Sequence, residues 1–283
     1  MSSHTSVIRT AIAAALIGLS VTGCASLREE RTAKLNYVER PAETLYNAAF
    51  EKLEQNAWAD AVLVFDEVER QHPYSEWARR AMLMSSYAKY RSANYEEAVA
   101  GAQRFISLHP GNKSAPYAYY LIGISYYDQI YDVGRDQGTT VQAEDALRQV
   151  IRRYPDSEYA ADARLKLELT HDHLAGKEMS IGRWYLRQGH ELAAIGRFRN
   201  VVKVYETTSH TEEALHRLVE SYVSLGVIEE ARQVGSVLGY NYPDSQWYED
   251  SYELMARYDV DLDNELKKPR ERGYWTRLRE RLF

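Results

Sequence analysis

The sequence predicts an all-α protein, a solenoid of five helix pairs standing behind a short export segment. Three observations carry this. Helix breakers are scarce, with 15 glycines and 7 prolines in 283 residues, against roughly 12% of residues in average usage. Four prolines recur in one local setting: His72-Pro73-Tyr74-Ser75, His109-Pro110-Gly111-Asn112, Tyr154-Pro155-Asp156-Ser157 and Tyr242-Pro243-Asp244-Ser245. A proline followed by a capping residue stops one helix and starts another. Finally, an alanine stands 12 residues before each of these prolines, at Ala61, Ala98, Ala143 and Ala231. A fixed offset of this kind is the mark of an internal repeat. The remaining composition excludes other classes. One cysteine cannot bridge within a chain. An apolar fraction of 45% is too high for wholesale disorder. A formal charge of −6 argues against nucleic acid as a partner.

Residues 1–23 read as an export signal. Arg9 is the only formally basic side chain before an apolar run from Ala11 to Val21. Eleven residues cannot span a hydrocarbon layer that needs roughly 20, so the run is a cleavable signal and not an anchor. Val21-Thr22-Gly23-Cys24 then resembles the lipobox of bacterial lipoproteins; a small-residue cleavage site with a chance cysteine is the alternative. The lipobox resemblance implies a diacylglycerol thioether on Cys24, cleavage before it and acylation of the new amino terminus. This covalent lipid is the only non-protein group expected, with no cofactor and no metal. Three acyl chains exceed the two-signal threshold for stable anchoring. The residue after Cys24 is Ala25 and not Asp, which by the same resemblance implies the outer membrane, facing the periplasm. Removing residues 1–23 removes one base and no acid, leaving 34 basic against 41 acidic residues, net −7. Residues 24–40 are polar and charged and read as a lipidated tether, with a reach of about 55 Å if fully extended.

From residue 41 the repeat takes over. Leu45, Ala48 and Ala49 precede Ala61, Phe65 and Pro73; Tyr95, Ala98, Phe105 and Pro110 follow. Then come Tyr119, Ile122, Gly123 and Tyr126; Ile181, Gly182, Tyr185, Gly189, Ala194 and Phe198; and Leu218, Tyr222, Gly226, Ala231 and Pro243. These sets resemble the tetratricopeptide repeat, a 34-residue helix–turn–helix unit. The resemblance implies a right-handed superhelical solenoid of five tetratricopeptide-like pairs. Small residues sit where the two helices of a pair cross, aromatics fill the wedge toward the next pair, and no pair is stable alone. Repeats one to three occupy residues 41–157 and repeats four and five residues 158–258.

Two departures matter. The third repeat is eight residues longer than the 37-residue spacing between Pro73 and Pro110, and Asp132 to Gly138 supplies turn residues for a projecting loop. The fourth repeat has Glu206 where its proline should stand, 51 residues after Pro155 and so 14 beyond that spacing. Fourteen residues is close to four helical turns, and residues 158–188 lack proline. They predict one uninterrupted helix from about Glu158 to Arg187. The tail, 259–283, is basic, with seven Lys/Arg against three Glu from Glu265 onward. Trp275, Leu278 and Leu282 fall on one helical face, and the tail reads either as a solvated terminal helix or as a docking arm.

Catalytic motifs are absent: no phosphate loop, no Gly-x-Ser-x-Gly, no His-Glu-x-x-His. His171 and His173 lie two apart, which on a helix turns them away from each other, so they do not form a metal site. Glu96-Glu97 and Glu212-Glu213 sit at helix starts, where the dipole favours acids. The tyrosines at 117–131 divide between packing positions, such as Tyr119 and Tyr126, and a remainder free to line a groove. Tyr87, Tyr90, Tyr120 and Tyr127 are the candidates for a peptide groove, since rings give large contact area at small entropic cost.

An exported lipoprotein made almost wholly of five such repeats resembles the BamD family, also called YfiO or ComL, of the outer-membrane β-barrel assembly machinery. The most specific stretches are Glu178 to Gly189 (EMSIGRWYLRQG), Ala193 to Phe198 (AAIGRF) and the loop residues Arg135, Asp136 and Gln137. The resemblance implies a non-enzymatic scaffold. Its C-terminal repeats would dock on the POTRA domain of a BamA-like barrel protein through Arg197, with Arg135 and Asp136 also at a partner surface. Its first repeats would receive the aromatic-rich targeting segments of unfolded outer-membrane proteins, and other assembly lipoproteins would bind as well. Another repeat lipoprotein, such as a pilus or secretin pilotin, is the alternative that composition does not separate. A lipoprotein enzyme needs a cleft domain for which the repeats leave no room.

Overall fold

In a computed structural model, which describes residues 40–258 and Leu262, residues 40–258 run through eleven helices. They are α1 (Ala42–Glu54), α2 (Trp58–Gln71), α3 (Glu76–Arg91), α4 (Tyr95–Leu108), α5 (Ala115–Tyr127) and α6 (Gly138–Arg153). After these come α7 (Glu158–Arg187), α8 (Glu191–Val204), α9 (Thr211–Ser224), α10 (Ile228–Asn241) and α11 (Gln246–Ala256). No strand occurs among the described residues. The export signal, Cys24, the tether up to residue 39 and the basic tail apart from Leu262 lie outside the described residues.

Two kinds of turn, each repeated, lay the helices side by side. Within a pair, the chain leaves the first helix through a left-handed residue: Asn56 (φ 56°), Ala93 (φ 60°), Gly189 (φ 72°) and Gly226 (φ 74°). The next amide reaches back five residues in each case, Ala57 N to Lys52 O, Asn94 N to Lys89 O, His190 N to Tyr185 O and Val227 N to Tyr222 O. This is the Schellman closure, which satisfies carbonyls that a helix end leaves open. Between pairs, the residue before each proline leaves the helical region, with φ near −135° and ψ of 53–60° at His72, His109, Tyr154 and Tyr242, since a following proline disfavours the helical conformation there. Tyr205 adopts a similar conformation (φ −121°) although Glu206 follows it. Ser75, Ser157 and Ser245 then cap the next helix through their hydroxyls.

Each helix packs on its neighbours in sequence. The odd-numbered helices also touch one another, α1 with α3, α3 with α5, α5 with α7 and α9 with α11. They form the closer-spaced layer, the inner side of a curved helical stack. Crossings are tight where the repeat has its small residues. Ala61, Ala98, Ala143, Ala194 and Ala231 are wholly buried. A Cβ on Gly182 would stand 2.8 Å from Phe198 Cζ, and one on Gly123 would stand 2.9 Å from Leu147 Cδ2.

The long helix predicted from the missing stop is α7, 30 residues without a break. It takes part in two cores. Ala163 and Leu167 pack with Leu147 and Val150 of α6, whereas Ala175 and Met179 pack with Phe198 and Leu215 of the last repeats. The predicted long loop also occurs, between Tyr127 and Gly138, although Gly138 itself opens α6. Tyr131, Asp132, Gly134, Arg135 and Asp136 of this loop are exposed. Lys177 Nζ of α7 donates to the carbonyls of Gly134 (3.1 Å) and Arg135 (3.2 Å) and ties the loop down. Tyr119 and Tyr126 hold the packing positions expected of them, against the buried clusters around Leu147 and Leu121. The fully buried aromatics are Phe65, Phe105 and Phe198, while Tyr119, Tyr126 and most other described tyrosines are only half-buried. The hydroxyl explains this, because it must keep a partner or water.

Candidate functional site

A face of tyrosines spans α3, α5 and α7. Helical spacing puts Tyr87, Tyr90 and Arg91 on one side of α3, and Tyr117 and Tyr120 on one side of α5. Tyr159 comes from the first turn of α7, just after the Ser157 cap. Ring centroids lie 6.4 Å apart for Tyr87–Tyr90, 5.4 Å for Tyr117–Tyr159 and 5.3 Å for Tyr120–Tyr159. Tyr95, opening α4, adds a ring 5.9 Å from Tyr90.

Two hydroxyls of this face are held by carboxylates. Tyr90 donates to Asp128 Oδ2 and Tyr120 to Asp162 Oδ2, both at 2.5 Å. Burial first, and then the neighbouring carboxylate, pushes both hydroxyls well above the ordinary tyrosine range. Tyr117 is pushed the same way, chiefly by burial. All three stay neutral in water near pH 7. Asp162 also pairs with Lys166 at 3.0 Å, and the Lys166 ammonium sits 5.4 Å from the Tyr127 ring centroid.

Of the four tyrosines singled out from the sequence, Tyr87, Tyr90 and Tyr120 share this face. Tyr127 stands two turns along α5 and joins it through Lys166 and Asp162. Tyr159, Arg91 and the two aspartates were not singled out. Tyr159 lies 42 and 39 residues from Tyr117 and Tyr120, a distance that only the stacking of α5 on α7 closes.

The second candidate surface lies on the latter half of α7. Arg197 of α8 reaches back to Glu178, with Nη1 at 3.2 Å from both carboxylate oxygens. Arg197 keeps 42% of its side chain exposed. On the adjacent residue, Lys177 holds the α5–α6 loop. Arg135 of that loop is exposed and rests over the Tyr131 ring at 4.9 Å. Asp136 accepts from the Gly138 amide at 3.1 Å and so closes the start of α6. Consecutive residues of one helix thus position Arg197 and the Arg135 loop.

Further along, Arg183 bonds Glu213 (2.8 Å), which also meets Arg217, itself 2.8 Å from Glu220. Arg183, Arg217 and Glu220, with Leu186 and Arg187, line an open groove of about 540 Å³. His171 faces Glu144 at 3.2 Å, and His173 Nδ1 is buried without a hydrogen-bond partner. Among the described residues no three His, Cys, Asp or Glu side chains gather as metal ligands, and no helix is long and apolar enough to cross a membrane.

Known proteins resemble this chain along most of its length. The outer membrane protein assembly factor BamD of Caulobacter vibrioides is 56% identical over 244 residues, covering 86% of this chain and 79% of that protein. The BamD of Rickettsia prowazekii is 45% identical over 243 residues, covering 86% and 95%. A thermophilic TPR protein of Thermus thermophilus is 16% identical with a TM-score of 0.36, covering 77% of this chain and 98% of that one. Residues 38–238 match the YfiO family, described as outer membrane lipoprotein, and span both the tyrosine face and Arg197. The chain therefore belongs to the YfiO family of outer membrane lipoproteins.

Proposed function

We propose that this protein is an outer membrane protein assembly factor, a non-enzymatic scaffold that brings unfolded barrel proteins to the machinery inserting them. The observation that carries the reading is 56% identity, over 86% of the chain, to a protein of that name. The geometry fits a binding role. Both candidate surfaces are made of rings and ion pairs on a stack of helices, and neither aligns a nucleophile with a base.

In this reading a lipid on Cys24 holds the protein at the periplasmic face of the outer membrane. The tyrosine face takes aromatic segments of unfolded outer-membrane proteins. Tyr90 and Tyr120 donate their protons to Asp128 and Asp162, so their free lone pairs accept from a peptide backbone. The surface around Arg197 and the Arg135 loop docks the POTRA domain of a BamA-like protein, and accessory lipoproteins join the same assembly.

Affinity purification of the full-length protein from membranes tests this. A barrel protein with POTRA domains should return in stoichiometric amount, and Cys24→Ala should shift the protein out of the outer-membrane fraction. Recovery of secretin subunits in place of a barrel protein would overturn the assignment.

A further inference from the structure

Charge is divided unevenly between the body of this chain and its end. Residues 24–264 hold 27 basic against 38 acidic residues, net −11, whereas residues 265–283 hold seven against three, net +4. The cations of that segment run among apolar residues. Arg277, Arg279 and Arg281 are interleaved with Trp275, Leu278 and Leu282, which share one face when the segment is helical. The described structure fixes where the segment starts. Leu262 is wholly buried in the core of the last repeats. A Cβ on Gly235 of α10 would stand 3.0 Å from Leu262 Cδ1, so the leucine seats against bare helix backbone. The chain beyond α11 is thereby pinned to the last repeat. The tether from Cys24 joins the stack at its other end, ahead of α1.

We propose that residues 265–283 are a second membrane contact, which takes anionic phospholipid in the leaflet that holds the lipid on Cys24. This rests on the reading of Cys24 as lipidated. A partner that merely carried acids would answer the seven cations and leave Trp275, Leu278 and Leu282 in water. A bilayer surface answers both, with phosphate groups for the cations and the headgroup–acyl boundary for the apolar side chains. Tryptophan suits that boundary, because its ring is apolar and its N–H polar. The body of the chain, at net −11, is repelled by the same surface, so the basic segment is the part drawn to it. The acylated end keeps the other end near the bilayer at high effective concentration, and a segment too weak to bind alone then holds. Because Leu262 ties the segment to α10, a pull on the segment is a pull on the last repeats. With a contact at each end, the helix stack is held against the bilayer and does not swing from its tether.

The test uses the mature lipidated protein on vesicles of phosphatidylcholine, alone or with about a third phosphatidylglycerol, whose brominated acyl chains quench tryptophan. The Trp275 signal is the difference between the wild-type protein and Trp275→Phe, which removes the other four tryptophans from the reading. Quenching of that signal should appear on the anionic vesicles, be about threefold weaker or more on phosphatidylcholine, and fade as salt shortens the reach of charge. Arg277→Glu, Arg279→Glu and Arg281→Glu together should abolish it, while Arg277→Lys, Arg279→Lys and Arg281→Lys together should retain it. Both triple variants should melt at the wild-type temperature. Equal quenching on the two kinds of vesicle would overturn the choice of anionic lipid. No quenching on either, from protein that floats with both, would overturn the second contact and leave the Cys24 lipid standing. Protein that floats only with anionic vesicles and is quenched there would remove the Cys24 lipid and support the contact. Shielding of Trp275 from aqueous iodide that requires a co-purifying protein, and not lipid, would overturn the contact in favour of an acidic protein partner.

Discussion

Arg197 and Glu178 face each other across the α7–α8 crossing, with one guanidinium nitrogen 3.2 Å from both oxygens of the carboxylate. Arg197 is 42% exposed and Glu178 only 18%. The pair orients the arginine and leaves one edge of it open to solvent. Exposed pairs of this kind contribute about 0–1 kcal/mol to stability. Arg197→Ala should therefore leave the melting temperature almost unchanged while reducing co-purification with the POTRA-bearing partner. Arg197→Glu should reduce it further, by setting two like charges against each other at Glu178. Normal recovery of the partner with a folded Arg197→Glu protein would remove this residue from the interface.

The four left-handed turn residues make a comparison within one chain. Gly189 and Gly226 meet the positive φ without a side chain, whereas Ala93 holds the same conformation with one. A left-handed L-residue costs roughly 1–2 kcal/mol, partly offset in glycine by its greater freedom when unfolded. Ala93→Gly should raise unfolding stability by about 0.5–1 kcal/mol, and Gly226→Ala should lower it by at least as much. Urea denaturation midpoints at constant m-value are the measurement.

Two glycines of repeat four should respond oppositely to the same change. A Cβ on Gly182 would collide with the Phe198 ring, whose Cδ1 lies 2.9 Å away, whereas a Cβ on Gly196 would meet nothing within 4 Å. Gly182→Ala should cost about 1–3 kcal/mol through overpacking, more than the helix propensity it gains. Gly196→Ala should stabilise α8 by about 0.5–1 kcal/mol. Thermal melts of the two variants side by side check both signs.

His216 should make the last repeats acid-sensitive. Its ring is buried between α9 and α11, 2.8 Å from Ser251 Oγ and against Trp247. Burial first, and then the Arg217 charge, holds its pKa below the ordinary 6.5. The unfolded chain takes up a proton at pH 6.5 that the folded chain refuses. Stability from this residue is thus full above that pH and falls as pH drops toward the folded value, by at most about 1.4 kcal/mol per pH unit. His216→Gln should flatten the difference in stability between pH 7 and pH 5.5. An unchanged slope would show that other groups carry it.

Much of this architecture was legible because repeats write their register in residues that have few substitutes. A proline at a stop and an alanine at a crossing are fixed by sterics, so Pro73, Pro110, Pro155 and Pro243 located the turns. The missing proline at Glu206 located the long helix. The Arg197 surface was legible only through resemblance, since an arginine in a helix has no local signature. The tyrosine face was half legible. Helical spacing groups Tyr87 with Tyr90 and Tyr117 with Tyr120, but the partners that finish the face come from other helices: Asp128 at the end of α5, Asp162 and Tyr159 on α7, Trp58 on α2. Ala93 shows the opposite limit, because alanine gives no hint of a left-handed turn and only its place 37 residues after Asn56 betrays it.

The unbroken course of α7 makes it a ruler. Asp162, which braces the tyrosine face, and Glu178, which braces Arg197, are 16 residues apart on one rod. At 1.5 Å per residue that separation is about 24 Å, and no joint interrupts it. One residue inserted between them would lengthen the gap by only about 1.5 Å but rotate one end against the other by roughly 100°. The two surfaces are thus set in phase as well as in distance, and under the proposed function a client held at one would be presented at a fixed angle to whatever sits at the other.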